Sequence, residues 1–256
     1  GDVYKRQPLK LSRARHYLPD WNAVDTTNTR LIYLTYPNNP TGSVATKAFF
    51  QDTIDRFKQT KTKIVHDFAY QAFGFDQPNP SILQAEGAKS CAVEVFSFSK
   101  GYNMSGYRVG FAVGNAEMIE NLQKYHTHTQ AGMYGALQDA CTVALNECDD
   151  VLYEQSRVFG HRRDLIEKTL NEAEIPHEPI KGGIFLWLQC PNGFTSDAFI
   201  DYLLQEKSIL AAPGHPFGEE GEGYVRISFA IDEAQLNTAL ERLVSLKALY
   251  QNDSTN

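Results

Sequence analysis

Three short apolar runs, beginning at Leu31, Lys63 and Ala92, constrain this chain more than any other feature, because each one stops at a polar group. Residues 31–36 (Leu-Ile-Tyr-Leu-Thr-Tyr) end at Pro37-Asn38-Asn39-Pro40-Thr41-Gly42. Residues 63–65 run into His66 and Asp67, with Tyr70 three residues on, and residues 92–96 end at Ser97 and Lys100. Short runs of β-branched and aromatic residues, cut off by proline or glycine, read as buried strands, since proline gives up a ladder donor and fixes φ. Between the first two, residues 46–60 place Phe49, Phe50, Ile54 and Phe57 at helical spacing. Strands alternating with helices predict an α/β domain built on a parallel sheet. Ligands of such sheets lie outside the carboxyl ends of the strands, so Asn39, Asp67, Tyr70, Ser97 and Lys100 are expected to converge on one crevice.

Chemistry concentrates in residues 97–110, Ser-Phe-Ser-Lys-Gly-Tyr-Asn-Met-Ser-Gly-Tyr-Arg-Val-Gly. A lysine in a partly desolvated pocket loses proton affinity, and a neutral amine attacks carbonyls to form a Schiff base. An arginine stays charged and offers a planar fork of donors that matches a phosphate. Lys100 and Arg108 together suggest an aldehyde cofactor that carries a phosphate, and pyridoxal 5'-phosphate is that cofactor.

Composition narrows the alternatives. The 256 residues carry 24 basic and 31 acidic side chains, a formal charge of −7. That balance argues against general nucleic-acid or anionic-membrane binding while allowing a local basic pocket. No apolar run approaches a bilayer span, and no signal peptide opens the chain; the expected location is cytoplasmic. Cys91, Cys141, Cys148 and Cys190 contain no C-x-x-C pair and read as free thiols. His126 and His128 stand two apart on an expected helix, which puts them on different faces and speaks against a shared metal.

Residues 2–7 (Asp-Val-Tyr-Lys-Arg-Gln) look like translated adapter sequence and are set aside from fold reasoning. Helices are expected over residues 116–129, 134–145 and 150–173, the second rich in small residues and well packed, the third long and amphipathic. Ile175-Pro176 marks a boundary. Beyond it the pattern reads strand 184–188, helix 196–206, short strand 208–212, a glycine-rich loop 213–223, strand 224–230, and a last helix capped by Asp232 with Gln235 three residues on. Arg226 lies inside the last strand, where a charge demands a partner.

Pro-Asn-Asn-Pro-Thr-Gly, His-Asp-Phe-Ala-Tyr and Ser-Phe-Ser-Lys-Gly-Tyr-Asn-Met-Ser-Gly-Tyr-Arg-Val-Gly-Phe, in that order, resemble the fold-type I pyridoxal-phosphate aminotransferases of class I/II. The resemblance is closest to the branch holding LL-diaminopimelate aminotransferase and its alanine-forming relatives. It implies an incomplete, mostly parallel large cofactor domain over residues 31–149, preceded by an N-terminal segment (1–30). A linking helix (150–174) and a small C-terminal α/β domain (175–256) would follow. Carried over by position, Lys100 would bond the cofactor's aldehyde carbon, Ser97 and Arg108 would hold its phosphate, and Asp67 would pair with the pyridine nitrogen. Asn39 and Tyr70 would donate to the phenolic oxygen, and Arg226, with Asn39 beside it, would bind the substrate α-carboxylate. Gly182-Gly183 matches a glycine pair near the substrate, and His215 takes no role. The resemblance further implies amino-group transfer between an amino acid and a 2-oxo acid, a homodimer, and an N-terminal truncation that leaves out a phosphate-cradling loop, a ring-stacking aromatic and a tyrosine reaching across the dimer. Fold and cofactor do not fix the reaction, so a β-eliminating C–S lyase and an inactive fragment stand as alternatives.

Overall fold

The computed structural model describes residues 5–130 and 132–251. Strands β1 (Leu31–Thr35), β2 (Lys63–Asp67), β3 (Ala92–Ser97) and β4 (Gly110–Gly114) lie side by side in that order, the first two pairings parallel and the last antiparallel. The three expected strands are present, in register and parallel. β4 was not anticipated, because its Gly-Phe-Ala-Val-Gly sequence is short and flanked by glycines, the residues that ordinarily punctuate a strand.

Alternation decides which face of this sheet is covered. Ile32, Leu34 and Ile64 point into a core shared with Trp21 and with Phe50, Ile54 and Phe57 of helix α1 (Lys47–Phe57). Thr46 caps α1 by accepting from the Phe49 amide, which explains why the helix begins there. Leu31 and Tyr33, one residue out of phase, stay more than half exposed on the other face.

One polar pair sits inside the covered face. His66 and Glu94, both fully buried, lie opposite each other in the β2–β3 register, with His66 Nδ1 2.8 Å from Glu94 Oε1. The Glu94 carboxylate also accepts from the Ser81 hydroxyl and the Ile82 amide, while His66 Nε2 lies 3.0 Å from the Tyr36 carbonyl oxygen. Burial of such groups is tolerable only when every polar atom is matched in this way.

Helix α2 (Phe98–Gly101) is a single turn after β3, and α3 (Ala116–Gln130), α4 (Gly135–Glu147) and α5 (Asp149–Glu172) follow β4. The expectation that α4 is well packed is corrected: it buries only Cys141 and Ala144 and leaves Val143 and Leu145 exposed. α5, about 36 Å long at 1.5 Å per residue, contacts α2, α4 and helix α7 (Glu233–Val244).

The second sheet holds β5 (Phe185–Gln189), β6 (Ala212–Pro213) and β7 (Tyr224–Ser228) in the antiparallel order β5-β7-β6. The strand expected over 208–212 is corrected to these two residues, since Ser208 is drawn into a left-handed cap (φ 50°) at the end of α6 (Ser196–Lys207). Asp232 caps α7 by accepting from the Gln235 amide, as the sequence predicts, and α8 (Lys247–Gln251) follows. Leu186, Leu188 and Val225 share one core with Leu236, Leu240 and Leu243 of α7, and with Tyr70 and Phe73, which come from the segment after β2. The core of the second sheet therefore extends into the first half of the chain.

Candidate active site

The turn after β1 is fixed by its own backbone. The Asn38 amide donates to the Ser43 carbonyl, the Gly42 amide donates to the Asn38 carbonyl, and the Asn38 side chain accepts from Thr41 Oγ1 at 2.9 Å. Gly42 holds φ +70°, a left-handed conformation that favours glycine. Its carbonyl accepts from both the Lys181 and Gly182 amides, and the Gly183 amide donates to the Phe73 carbonyl. These bonds dock the lead-in to β5 against the turn that carries Asn39.

Across that junction the structure brings four of the expected residues together. Arg226 Nη1 donates to Asn39 Oδ1 over 2.9 Å, linking positions 187 residues apart. Tyr70, buried beside them, has its phenol pushed above the ordinary value first by burial, with Asp67 adding to the shift and the Arg226 charge and the Asn39 hydrogen bond opposing it. Asp67 closes β2 with Oδ1 accepting from the Ala69 amide (3.0 Å) and Oδ2 from the Tyr33 hydroxyl (3.3 Å). Burial, with the Asp67 charge second, pushes the Tyr33 phenol up as well.

The other three residues form a group one strand over. Asp67 is the β-ladder partner of Val95, so Ser97, two residues on, ends β3 on the same face as Asp67. The Ser97 hydroxyl caps α2 by accepting from the Ser99 amide at 3.1 Å, and α2 carries Lys100, half-buried and with no side-chain partner among the described residues. Arg108 is exposed, in a left-handed conformation (φ 53°), and its Nη1 donates back to the Ser105 carbonyl. No hydrogen bond joins this group to the Asn39–Tyr70–Arg226 group among the described residues; adjacency of β2 and β3, about 4.8 Å apart, is what relates them.

The surroundings of Arg226 escaped the sequence. β7 is the middle strand, and one of its faces, with that of β5, presents Phe185, Trp187, Tyr224 and Arg226, with Trp187 directly opposite Arg226. The Arg226 guanidinium carbon lies 4.4 Å from the Phe185 ring centroid and 4.8 Å from that of Phe217. Alternation along 185–189 could have revealed Phe185; Phe217, in an aperiodic loop, carries no such signal. His215, next to it, has Nε2 3.1 Å from Asp197 Oδ1.

The profile of aminotransferase class I and II matches residues 10–243, and the chain belongs to that family. Its architecture is the fold-type I arrangement, with a mixed, mostly parallel sheet. An aminotransferase structure from Staphylococcus aureus superposes with a TM-score of 0.93 at 60% identity, covering 95% of this chain and 65% of that one. Apo-BacF from Bacillus subtilis gives 0.88 at 36% identity, over 94% and 63%. Among curated sequences, the L-glutamine--4-(methylsulfanyl)-2-oxobutanoate aminotransferase of Bacillus subtilis is 40% identical over 96% of this chain and 63% of its own length. LL-diaminopimelate aminotransferase 2 of Trichormus variabilis is 37% identical over 92% and 61%. The chain thus spans about three fifths of the relatives it matches. No helix among the described residues is long and apolar enough to cross a membrane.

The donor set fits pyridoxal phosphate, the cofactor general to the family. A carboxylate (Asp67), an amine without a partner among the described residues (Lys100), a phenol and an amide side by side (Tyr70, Asn39), and a hydroxyl with a guanidinium (Ser97, Arg108) could supply the complements of a pyridine nitrogen, an aldehyde, a phenolic oxygen and a phosphate.

Proposed function

We propose that the protein transfers an amino group from an amino acid to a 2-oxo acid with pyridoxal phosphate. In this reading Asp67 sits at the pyridine nitrogen, Asn39 and Tyr70 at the phenolic oxygen, and Ser97 and Arg108 at the phosphate. Arg108, now folded onto Ser105, would exchange that neutral acceptor for an anion, a stronger partner for a guanidinium. Bound there, the cofactor supplies an electron sink for the pair released at the substrate Cα. Arg226 would hold the α-carboxylate, and Lys100, which would bond the cofactor's aldehyde carbon at rest and be released when the substrate amine takes its place, would then carry the Cα proton on its Nζ. The reaction then runs in two halves, amino acid to 2-oxo acid and a second 2-oxo acid to amino acid. The homodimer and the class of donor, diaminopimelate-like or alanine- and glutamate-like, belong to the same proposal.

The contact of Arg226 with Asn39 carries it: two residues assigned to one substrate group meet across 187 positions of sequence. Borohydride reduction of the protein incubated with cofactor should fix the cofactor's mass on the Lys100 peptide, and Lys100→Ala should abolish that adduct and all transamination. An adduct spread over other lysines, unchanged in Lys100→Ala, would sink the assignment. Pyruvate and ammonia released from cystathionine without any 2-oxo acid would assign the lyase reaction instead.

A further inference from the structure

The aromatic surroundings of Arg226 are not used by the assignments above. A guanidinium within about 6 Å of a ring face is attracted to it, and the attraction grows as water is excluded. Arg226 meets two rings at 4.4 and 4.8 Å, and burial lowers its hold on its proton, with only Tyr70 opposing. The two rings are themselves braced. Phe185 and Tyr70 meet in a T-shaped contact at 5.8 Å, and Phe217 and Trp187 in another at 5.9 Å, Trp187 in turn stacking on Tyr224 at 5.3 Å. Phe185 belongs to a strand and is buried, whereas Phe217 is 40% exposed and arrives from the short helical turn His215–Phe217. That turn is pinned by close backbone approach: a Cβ on Gly214 would fall 2.7 Å from the Tyr224 carbonyl oxygen.

With Nη1 given to Asn39 and the rings flanking the guanidinium, Nε and Nη2 are left without partners among the described residues. A carboxylate is gripped by two parallel N–H donors of one guanidinium. We propose that Phe217 is a positioning residue for Arg226: together with Phe185 it forms an aromatic cage that fixes the guanidinium plane and leaves one edge free for the α-carboxylate of an amino or 2-oxo acid. The cage itself is a matter of this chain's geometry; the identity of the carboxylate rests on the aminotransferase reading.

Two readouts separate these parts. Phenylglyoxal attacks guanidinium groups, and its rate at Arg226 is followed in the cofactor-free chain by mass spectrometry of the peptide that contains it. Phe217→Leu and Phe217→Met should each speed modification about fivefold, and Phe217→Tyr should retain the slow rate of the parent. Circular dichroism and Tm verify that each variant is folded; should Leu fail to fold, Met carries the comparison. Equal rates in folded parent, Leu and Met forms overturn the cage. In the cofactor-loaded protein, loss of the ring should raise KM for the amino acid about three- to tenfold with kcat held, because the carboxylate is bound alike in ground and transition states. A fall in kcat at constant KM overturns the positioning role. Faster modification in a protein that performs no transamination would support the cage and refute the aminotransferase reading.

Discussion

Two charged side chains inside this molecule, Arg226 and Glu94, show how matching makes burial tolerable. Arg226 occupies a central strand, where an unpaired guanidinium would be costly, and finds an amide oxygen and two ring faces. Glu94 answers three donors at once, from His66, Ser81 and Ile82. Glu94→Leu keeps the volume and removes every acceptor. It should lower unfolding free energy by about 3–5 kcal/mol, read from urea denaturation; a loss below 1 kcal/mol would mean that the three donors find other partners. At this scale the sequence was informative about which residues matter and silent about how they meet. Asn39, Asp67, Tyr70 and Lys100 stood out because each follows a strand. The Asn39–Arg226 bond and the Phe217 ring depend on how two halves of the chain dock, which no local pattern encodes.

Elements form where capping and alternation direct, and they meet where side chains are absent. Gly182 packs so tightly that a Cβ would lie 2.8 Å from the Phe73 carbonyl oxygen and 2.9 Å from both Pro37 and Val44. Gly182→Ala should therefore cost about 1–3 kcal/mol by overpacking, measured as a lower urea midpoint with unchanged slope. The end of α5 is tied to the approach to β5 by Glu167, whose Oε2 lies 3.2 Å from His177 Nε2 and whose Oε1 accepts from the Ile180 amide. Burial disfavours charge on His177, but the Glu167 carboxylate and the Ile175 carbonyl outweigh it and hold its pKa above the ordinary 6.5. Burial likewise pulls Glu167 up, and the His177 and Ile180 contacts outweigh it, leaving its pKa below the ordinary 4.5. The raised His177 contributes stability that is complete below pH 6.5 and fades as pH climbs through its folded value. Glu167 contributes above pH 4.5 and loses it in acid. Tm should thus fall between pH 6 and 9 in the parent, and His177→Gln should flatten that limb; a parallel fall in both would exclude the pair as its source. Helices and parallel strands of this layer were legible from apolar spacing. β4 was not, because glycines at both its ends read as turn signals, and β6 was expected over 208–212, where Ser208 instead closes α6 and only Ala212–Pro213 pair.

For the molecule as a whole, the core of the second sheet reaches into the first half of the chain, since Tyr70 and Phe73, after β2, are buried with Phe185, Phe229 and Leu240. Each half contains one tryptophan, Trp21 beneath the first sheet and Trp187 on the second, both nearly inaccessible. Trp21→Phe and Trp187→Phe variants, each reporting from the tryptophan that remains, should show coincident fluorescence midpoints in urea. Two separated transitions would show that the halves unfold independently. The order of elements was readable in advance because each strand–helix unit closes on itself; the shared core was not, because Phe73 and Phe185 are far apart in sequence and only folding makes them neighbours.

The peptide oxygen of Gly42, which receives two amides from the opposite half, has a consequence for anyone altering this protein. Every amino acid except proline carries the main-chain N–H, so exchanging Lys181 for any of the others leaves its half of this fastening chemically available. Proline at either position, or a change of length that slides one amide past the other, would cut it, and Gly182 has no room for a side chain. The joint that sets Arg226 over Asn39 is therefore guarded by spacing and by the bare Cα of Gly182, while position 181 is free to drift among residues that keep an N–H.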